Sequence, residues 1–503
     1  MTEIGPQAVK AVAWNAAGTF GTQAVSFVIT VVLARLLSPA EFGLVAMLTV
    51  FVALAGVLVD SGYVAALIQK PTVTPEDESS VFALNLVVAL VLCVVFWFAA
   101  VPIAAFYHQP ALVPITRVTS LVLVGNALGM VQTALLSKRL DFRALGQATI
   151  GAALASGLLA IVLAARGWGV WSLVAQSVAS SFVRSGLLWV LAPWRPRWLF
   201  SFGAVRSLFR YSSRLLVTSL LAAIIENIMS IVIGRLFDPA ALGLFERAQA
   251  AQRAVTRALN SVVGDVSFPT YSALQADRAA LRRTFRRSVV ASSAVIMPLM
   301  TVLAAVGRPL FGVVYSERWL ASVPYFQVLC MSGSVYHLHA LNLSLIKSSG
   351  RSDLFLRLAL CRQALVVLSV LGSCRYGVMA MVWTQFVVVV TLVFANGAYA
   401  GRLADYGILT QLREVAPLAA AAVLAAGAAQ AVGLAVHDWR PGYQLVPMAA
   451  AGALTYVGLV YATNIAGAAE LAQQLRAKLG RRRPALGRRR RPGAEEADGA
   501  TEE

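Results

Sequence analysis

The chain has 503 residues, 59% of them hydrophobic and only 13% charged, with a mean hydropathy of +0.74, which excludes a soluble enzyme built on one or two buried cores. Roughly 297 apolar residues, at about 20 for each helix across ~30 Å of hydrocarbon, supply about fourteen crossings and leave little for a separate domain. The formal charge is +19, with nine basic against five acidic residues from Leu471 onward, so about +15 belongs to the remainder, where basic residues set topology and do not signal nucleic acid. With 37 Gly, 19 Pro and four Cys, collagen-like, disordered and disulfide-scaffold chains are excluded too.

In chain order, the opening MTEIGPQAVKAVAWNAAG carries Glu3 and no small-x-small cleavage site, so the first helix is expected to stay in the mature protein. Apolar windows between polar breaks predict spans near 12–37, 41–69, 81–107, 112–136, 145–165, 168–193, 208–235, 240–269, 288–314, 321–346, 353–373, 376–400, 414–434 and 443–464. The expected fold class is an all-α polytopic membrane protein. Basic residues crowd alternate connections: Lys138, Arg139 and Arg143 after the fourth span, 195–214 after the sixth, 278–287 after the eighth, and Lys347, Arg351 and Arg357 after the tenth. The other connections hold one or two each, among them Arg35, Arg117, Arg166, Arg235, Arg308, Arg318, Arg375 and Arg440, so both termini are expected in the cytoplasm.

The span at 240–269 carries Glu246, Arg247, Arg253 and Arg257 and is poorly apolar. Two observations keep it. The basic loops on either side of it need an even number of crossings between them, and 215–234 supplies one. An internal repeat supplies the other argument. Residues 31–44, VVLARLLSPAEFGL, align without a gap on 231–244, IVIGRLFDPAALGL, and so place 241–269 opposite the plainly apolar 41–69. Fainter echoes pair 135–143 with 345–357, and Gly169 and Val170 with Gly377 and Val378. Six crossings per half give parallel repeats about an axis along the membrane normal. The expected divisions are 1–200, 201–405, two added helices in 406–470, and a cytoplasmic tail at 471–503.

Charges at mid-bilayer cost ~2.5–3.5 kcal/mol each on insertion scales, so Glu226, Glu246, Arg247, Arg253 and Arg257 would together cost about 12–17 kcal/mol if they faced lipid. At about 100° per residue, Glu246, Gln249, Arg253, Arg257 and Asn260 share an arc of about 80°, with Arg247 well off it. The seventh span has a similar face in Ser212, Ser219, Glu226 and Ser230, and the first in Asn15, Thr19, Thr22, Ser26 and Thr30. With Asp60 and Tyr63, these stripes are expected to line a hydrated cavity between the halves. Arg253 and Arg257, one turn apart, suit a single anionic group such as a pyrophosphate. The alternative is that the arginines pair with Glu246 or Glu226 and brace the bundle.

Elsewhere the bland explanation leads. His337 and His339 point about 200° apart on a helix and cannot share a metal, so polar packing is expected of them and no metal site is assigned. Cys361 and Cys374 read as apolar filler. Arg35 with Pro39 and Gly43, and Arg235 with Pro239 and Gly243, read as tight turns with snorkelling anchors. None of the five lysines follows a glycine, so no phosphate-binding loop is present and no nucleotide cofactor is expected.

The chain resembles the polysaccharide transporter family of the multidrug/oligosaccharidyl-lipid/polysaccharide flippase superfamily. The residues that carry the likeness are Ala34, Arg35 and Leu36 leading to Pro39 and Gly43, their second copy Gly234, Arg235 and Leu236 leading to Pro239 and Gly243, then Glu246-Arg247-Ala248 and Phe268-Pro269-Thr270-Tyr271-Ser272, within roughly 10–465. The resemblance implies an inner-membrane flippase, not an enzyme, that moves undecaprenyl-pyrophosphate-linked oligosaccharide between leaflets by alternating access through a cationic cavity. It also implies as partners membrane lipids and the polysaccharide polymerase and chain-length regulator proteins. Arg253, Arg257, Arg247, Gln249 and Asn260 are candidates for the headgroup, and Glu226, Asp60 and Glu246 for ion or proton coupling. A drug/cation antiporter of the same superfamily and a membrane polysaccharide polymerase or ligase remain the alternatives.

Overall fold

The computed structural model describes residues 6–60, 62–197 and 199–463, with the side chains of 6–13, 15–16, 204–205, 207–215, 257–266 and 352 outside the description. The tail 471–503 lies outside the described residues, as do the side chains of Asn15, Ser212, Arg257 and Asn260.

Apolar runs fold into helices, several of them started by proline or a capping side chain. In chain order these are α1 (Pro6–Leu36), α2 (Pro39–Asp60), α3 (Tyr63–Gln69), α4 (Pro75–Tyr107), α5 (Leu112–Thr119), α6 (Leu121–Lys138), α7 (Phe142–Ala165), α8 (Val170–Leu191) and α9 (Phe202–Glu226). They continue as α10 (Ile228–Leu236), α11 (Pro239–Ala273), α12 (Arg278–Ala305), α13 (Gly307–Val314), α14 (Val323–Ser348), α15 (Ser352–Ser373), α16 (Val378–Ala404), α17 (Ile408–Ala435) and α18 (Pro441–Ala462). Proline opens α2, α4, α11 and α18, where its missing N–H costs nothing. Asp141, Asp238 and Asp277 accept backbone N–H groups at the starts of α7, α11 and α12, and Thr74 with Asp77 forms a capping box on α4.

Among the described residues eleven helices are long and apolar enough to cross a membrane, or twelve if the bent pair α9 and α10 counts as one span. The chain is a multi-pass, all-helical membrane protein with no strand among the described residues. The long helices α11 and α14 are not among those twelve, so the count of fourteen crossings rests on the sequence pattern. Among the differences from the predicted spans, three have a local cause. The window 41–69 breaks at Gly62, whose φ of 75° ends α2 and restarts the chain as α3. The seventh span breaks at Asn227, where α9 and α10 meet at 46°. The ninth begins at Arg278, ten residues ahead of the apolar run, because Asp277 caps a basic first turn that projects beyond it.

Helix α1 packs on α7, α7 on α8, and α6 on α8, where Gly125 and Gly129 face Ser181 and Ser185 in the small-residue spacing that lets helices approach closely in lipid. Helix α11 packs on α14, α12 on α14 and α17, α14 on α16, and α17 on α18. The first group meets the second chiefly where α2 lies along α11 and where α9 leans on α2, α3 and α4. The end at which α1 begins is termed the near end, and the end with the turns preceding α2 and α11 the far end.

The buried cores differ at the two ends. At the far end one cluster takes residues from both groups, including Met47, Tyr107, Ile233, Phe245, Trp319 and Phe326. At the near end the clusters formed by the described residues stay apart: Tyr63, Leu67, Val81 and Val131 in the first group, and Tyr271, Phe285, Leu345 and Tyr406 in the second.

Candidate functional site

The repeated turns meet each other at the far end. A side chain at Gly43 would run into the backbone carbonyl of Pro239, and one at Gly243 into the carbonyl of Pro39. Only glycine permits this approach, and the contact is reciprocal: each copy of the motif seats its glycine on the other copy's proline turn.

The segment between α13 and α14 then clamps the first group. The Trp319 indole donates to the Ala34 carbonyl at 2.7 Å, and the Arg35 guanidinium donates to the carbonyls of Val313 and, at 3.3 Å, Val314. Arg235 lies 2.6 Å from His108 and over the Phe106 ring, so it ties α10 to the end of α4. The turn arginines therefore hold main-chain carbonyls and a histidine across the seam.

Arg247 sits inside this seal. Its guanidinium carbon lies 4.3 Å from the Phe42 ring centroid, 5.2 Å from that of Trp319 and 5.4 Å from that of Tyr315. The side chain is 8% exposed and its Nε has no hydrogen-bond partner. Three rings from two segments, α2 and the stretch between α13 and α14, thus share one cation, an arrangement worth about 2 kcal/mol or more when desolvated. The structure buries Arg247 and leaves Arg253 exposed.

Below the seal, α11 shows three faces. Gly243 points to α2, while Gln252 and Thr256 meet Gly333 of α14. With Gln252 as zero, steps of about 100° put the α14 face near 20° and the α2 face near 180°, so Gln249, Arg253 and Glu246 span about 60° to 120° between them. The polar stripe therefore occupies the arc between the two groups of helices. Within it Glu246 accepts from the Ser230 hydroxyl of α10, Gln249 is buried, and Arg253 is exposed. Beyond the 46° break α9 turns toward α2, α3 and α4, and exposed Glu226 stands at that break beside Asn227, which donates to Ala223 at 2.8 Å.

The other predicted residues have the following neighbours. Thr19 and Thr22 border a recess of about 360 Å³ with Phe142, Gly146 and Thr149 of α7, and Thr22 donates back to Gly18 at 2.8 Å. Ser26 and Ser219 are half-buried on α1 and α9. Asp60 accepts the Val64 N–H at 3.3 Å and so stabilises the start of α3. The two histidines have separate partners: His337 pairs with Ser293 at 2.8 Å and His339 with Asn396 at 2.7 Å. Sequence reasoning missed the aromatic cage, because Tyr315 and Trp319 are far from Arg247 in the chain and each reads alone as an interfacial aromatic.

A family model described as polysaccharide biosynthesis protein matches residues 32–324, more than half of the chain. The chain belongs to this family. Among curated proteins it is 28% identical over 388 residues to the succinoglycan biosynthesis transport protein ExoT of Rhizobium meliloti (strain 1021), covering 76% of this chain and 78% of that one. It is 26% identical over 326 residues to the lipopolysaccharide biosynthesis protein WzxC of Escherichia coli (strain K12), covering 64% and 65%. Among solved structures it resembles the lipid II flippase MurJ in an inward closed conformation, with a TM-score of 0.69, 11% identity, and coverage of 88% of this chain and 97% of that one. An inward-facing multidrug resistance MATE family transporter gives a TM-score of 0.56 at 14% identity, over 76% and 96%. These two likenesses concern the fold.

Proposed function

We propose that this chain flips an undecaprenyl-pyrophosphate-linked oligosaccharide from the cytoplasmic to the outer leaflet of a bacterial inner membrane, by alternating access between halves formed by 1–200 and 201–405, with 406–470 added. The near end, where basic connections gather, faces the cytoplasm, as do both termini. The observation that carries this is an asymmetry among the described residues: one core cluster binds both groups of helices at the far end, the near-end clusters are separate, and Arg253 is exposed on the arc between the groups.

In this arrangement the pyrophosphate enters from the near end and meets Arg253 and Arg257, one helical turn apart. The sugars meet Gln249, Asn260 and Ser219, while the prenyl chain stays in lipid. Arg247 and Ser230 have a different task. Arg247 braces the closed far end through the aromatic cage, and Ser230 holds Glu246. Glu226, at a broken helix of the kind that transporters use for ions, is the first candidate for coupling, ahead of Asp60 and Glu246. The chain performs no bond chemistry, and polymerase and chain-length regulator proteins receive the translocated unit.

The test is transport in proteoliposomes loaded on one side with undecaprenyl-pyrophosphate-linked oligosaccharide, read by its exposure to an impermeant sugar-oxidising reagent outside. Protein-dependent appearance of the glycan supports the proposal. Extrusion of organic cations with no movement of the glycan would assign the chain to the antiporter class.

A further inference from the structure

A second polar cavity lies away from the passage, at the far end between α13, α14, α17 and α18. It has a volume of about 780 Å³, within the range of about 300–1,000 Å³ that suits a bound small molecule. Its apolar wall is built by Pro309, Leu320, Val323, Leu434 and Met448. Its polar wall is Arg308, Gln327, Gln430, Gln444 and His437.

The polar groups are not equivalent. Each glutamine amide nitrogen is already engaged with main chain: Gln327 donates to Ala304 at 3.3 Å, Gln430 to Ala305 at 2.7 Å, and Gln444 to Trp439 at 2.7 Å and His437 at 2.9 Å. With those nitrogens fixed, the three amide oxygens remain to accept hydrogen bonds from a guest. The neighbouring carboxylate, Asp438, pairs with His437 at 3.0 Å. Arg308 is exposed and has no hydrogen bond or ion pair among the described residues. A guest that fits carries an anionic oxygen cluster for the guanidinium fork, hydroxyl donors for the amide oxygens, and an apolar body for the wall.

The depth of the cavity selects the source. Trp439, on the α17–α18 turn, is 54% exposed and Tyr443, in the first turn of α18, 71% exposed, each within two residues in sequence of the cavity residues His437 and Gln444. Large amphipathic rings left uncovered at a helix end mark headgroup level, where the apolar part sits against acyl chains and the polar edge reaches water. A mouth at that level opens to the leaflet.

We propose that this cavity binds one anionic phospholipid with a hydroxylated headgroup, such as phosphatidylglycerol, its phosphate on Arg308 and its glycerol hydroxyls on Gln327, Gln430 and Gln444. The site is separate from the α11 stripe, and its occupancy does not depend on which substrate is flipped.

The experiment uses the purified full chain in detergent, delipidated and titrated with palmitoyl-oleoyl phosphatidylglycerol, with the bound lipid counted by native mass spectrometry. One phosphatidylglycerol is expected to bind with preference over phosphatidylcholine. Arg308→Gln is expected to weaken it about tenfold, as loss of a charge-assisted pair does, whereas Arg318→Gln, exposed at the same end outside the cavity, leaves it unchanged. Gly433→Leu, which fills the cavity against the flexible Met448 side chain without altering charge, is expected to weaken it as well. Equal retention of the two lipids, or undiminished phosphatidylglycerol in both Arg308→Gln and Gly433→Leu, overturns the proposal. So does binding of free glycerol 3-phosphate as tight as that of the lipid, which would assign the cavity to a soluble anion.

Discussion

Gly43 of α2 rests on the carbonyl of Pro239, and the two residues belong to copies of one motif that lie 200 positions apart in the sequence. The matching contact of Gly243 with Pro39 makes the seam self-complementary. In the proposed mechanism, a repeat that meets itself in this way closes the passage at the far end without a dedicated plug. Any side chain at either glycine must part the two backbones, since neither carbonyl can rotate away from its helix start.

Gly43→Val and Gly243→Val are each expected to lower the thermal unfolding midpoint, by the equivalent of about 1–3 kcal/mol of overpacking. Gly427→Ala, which has open space around it, provides the control. Circular dichroism melts of the purified variants compare them, and melts for the valine variants that match the control would show that the seam is loose.

The cage predicts a measurable coupling between Arg247 and Trp319. In a double-mutant cycle with Arg247→Ala and Trp319→Ala, the two losses of stability are expected to overlap by about 1–2 kcal/mol, because either change removes the same cation–π contact. Additive losses would place the cation's stabilisation elsewhere.

The orientation has a simple check. Residues 275–287 belong to the near end and are expected in the cytoplasm, so a cysteine introduced at Ala279, in a chain whose four native cysteines have been replaced, resists an impermeant thiol reagent on intact cells. Labelling before lysis would invert the topology.

Coupling is expected to depend on Glu226. Glu226→Gln is predicted to retain binding of the lipid-linked substrate while transport loses its response to an imposed proton or sodium gradient. If Glu226→Gln still responds to the gradient and Asp60→Asn does not, coupling belongs to Asp60.

The proline and glycine repeat was legible in the sequence because it is local and ungapped, and it led directly to the two turns that meet at the far end. The echo of Gly169 in Gly377 was also legible: both precede a helix with positive φ, 55° and 97°. Periodicity identified the face of α11 that carries Arg253 and set Arg247 apart from it. Periodicity names a face and not a neighbour, which is why the threonines of α1 turned out to border a recess with α7. The cage escaped notice because its rings come from α2 and from the segment before α14, brought to Arg247 only by the fold. The break at Asn227 was hidden for another reason: one asparagine in an apolar run is compatible with a straight helix unless the packing of α9 on α2, α3 and α4 pulls it aside.

The central claim is that Arg253 looks into a hydrated space open to one side. The direct measurement places a cysteine there, Arg253→Cys, after replacement of Cys93, Cys330, Cys361 and Cys374, and follows its reaction with an impermeant maleimide in membrane vesicles of both orientations. Labelling is expected in inside-out vesicles, to be slowed by lipid-linked oligosaccharide, and to be absent in right-side-out vesicles. A cysteine that stays unreactive in both orientations would put this side chain against acyl chains and contradict the account.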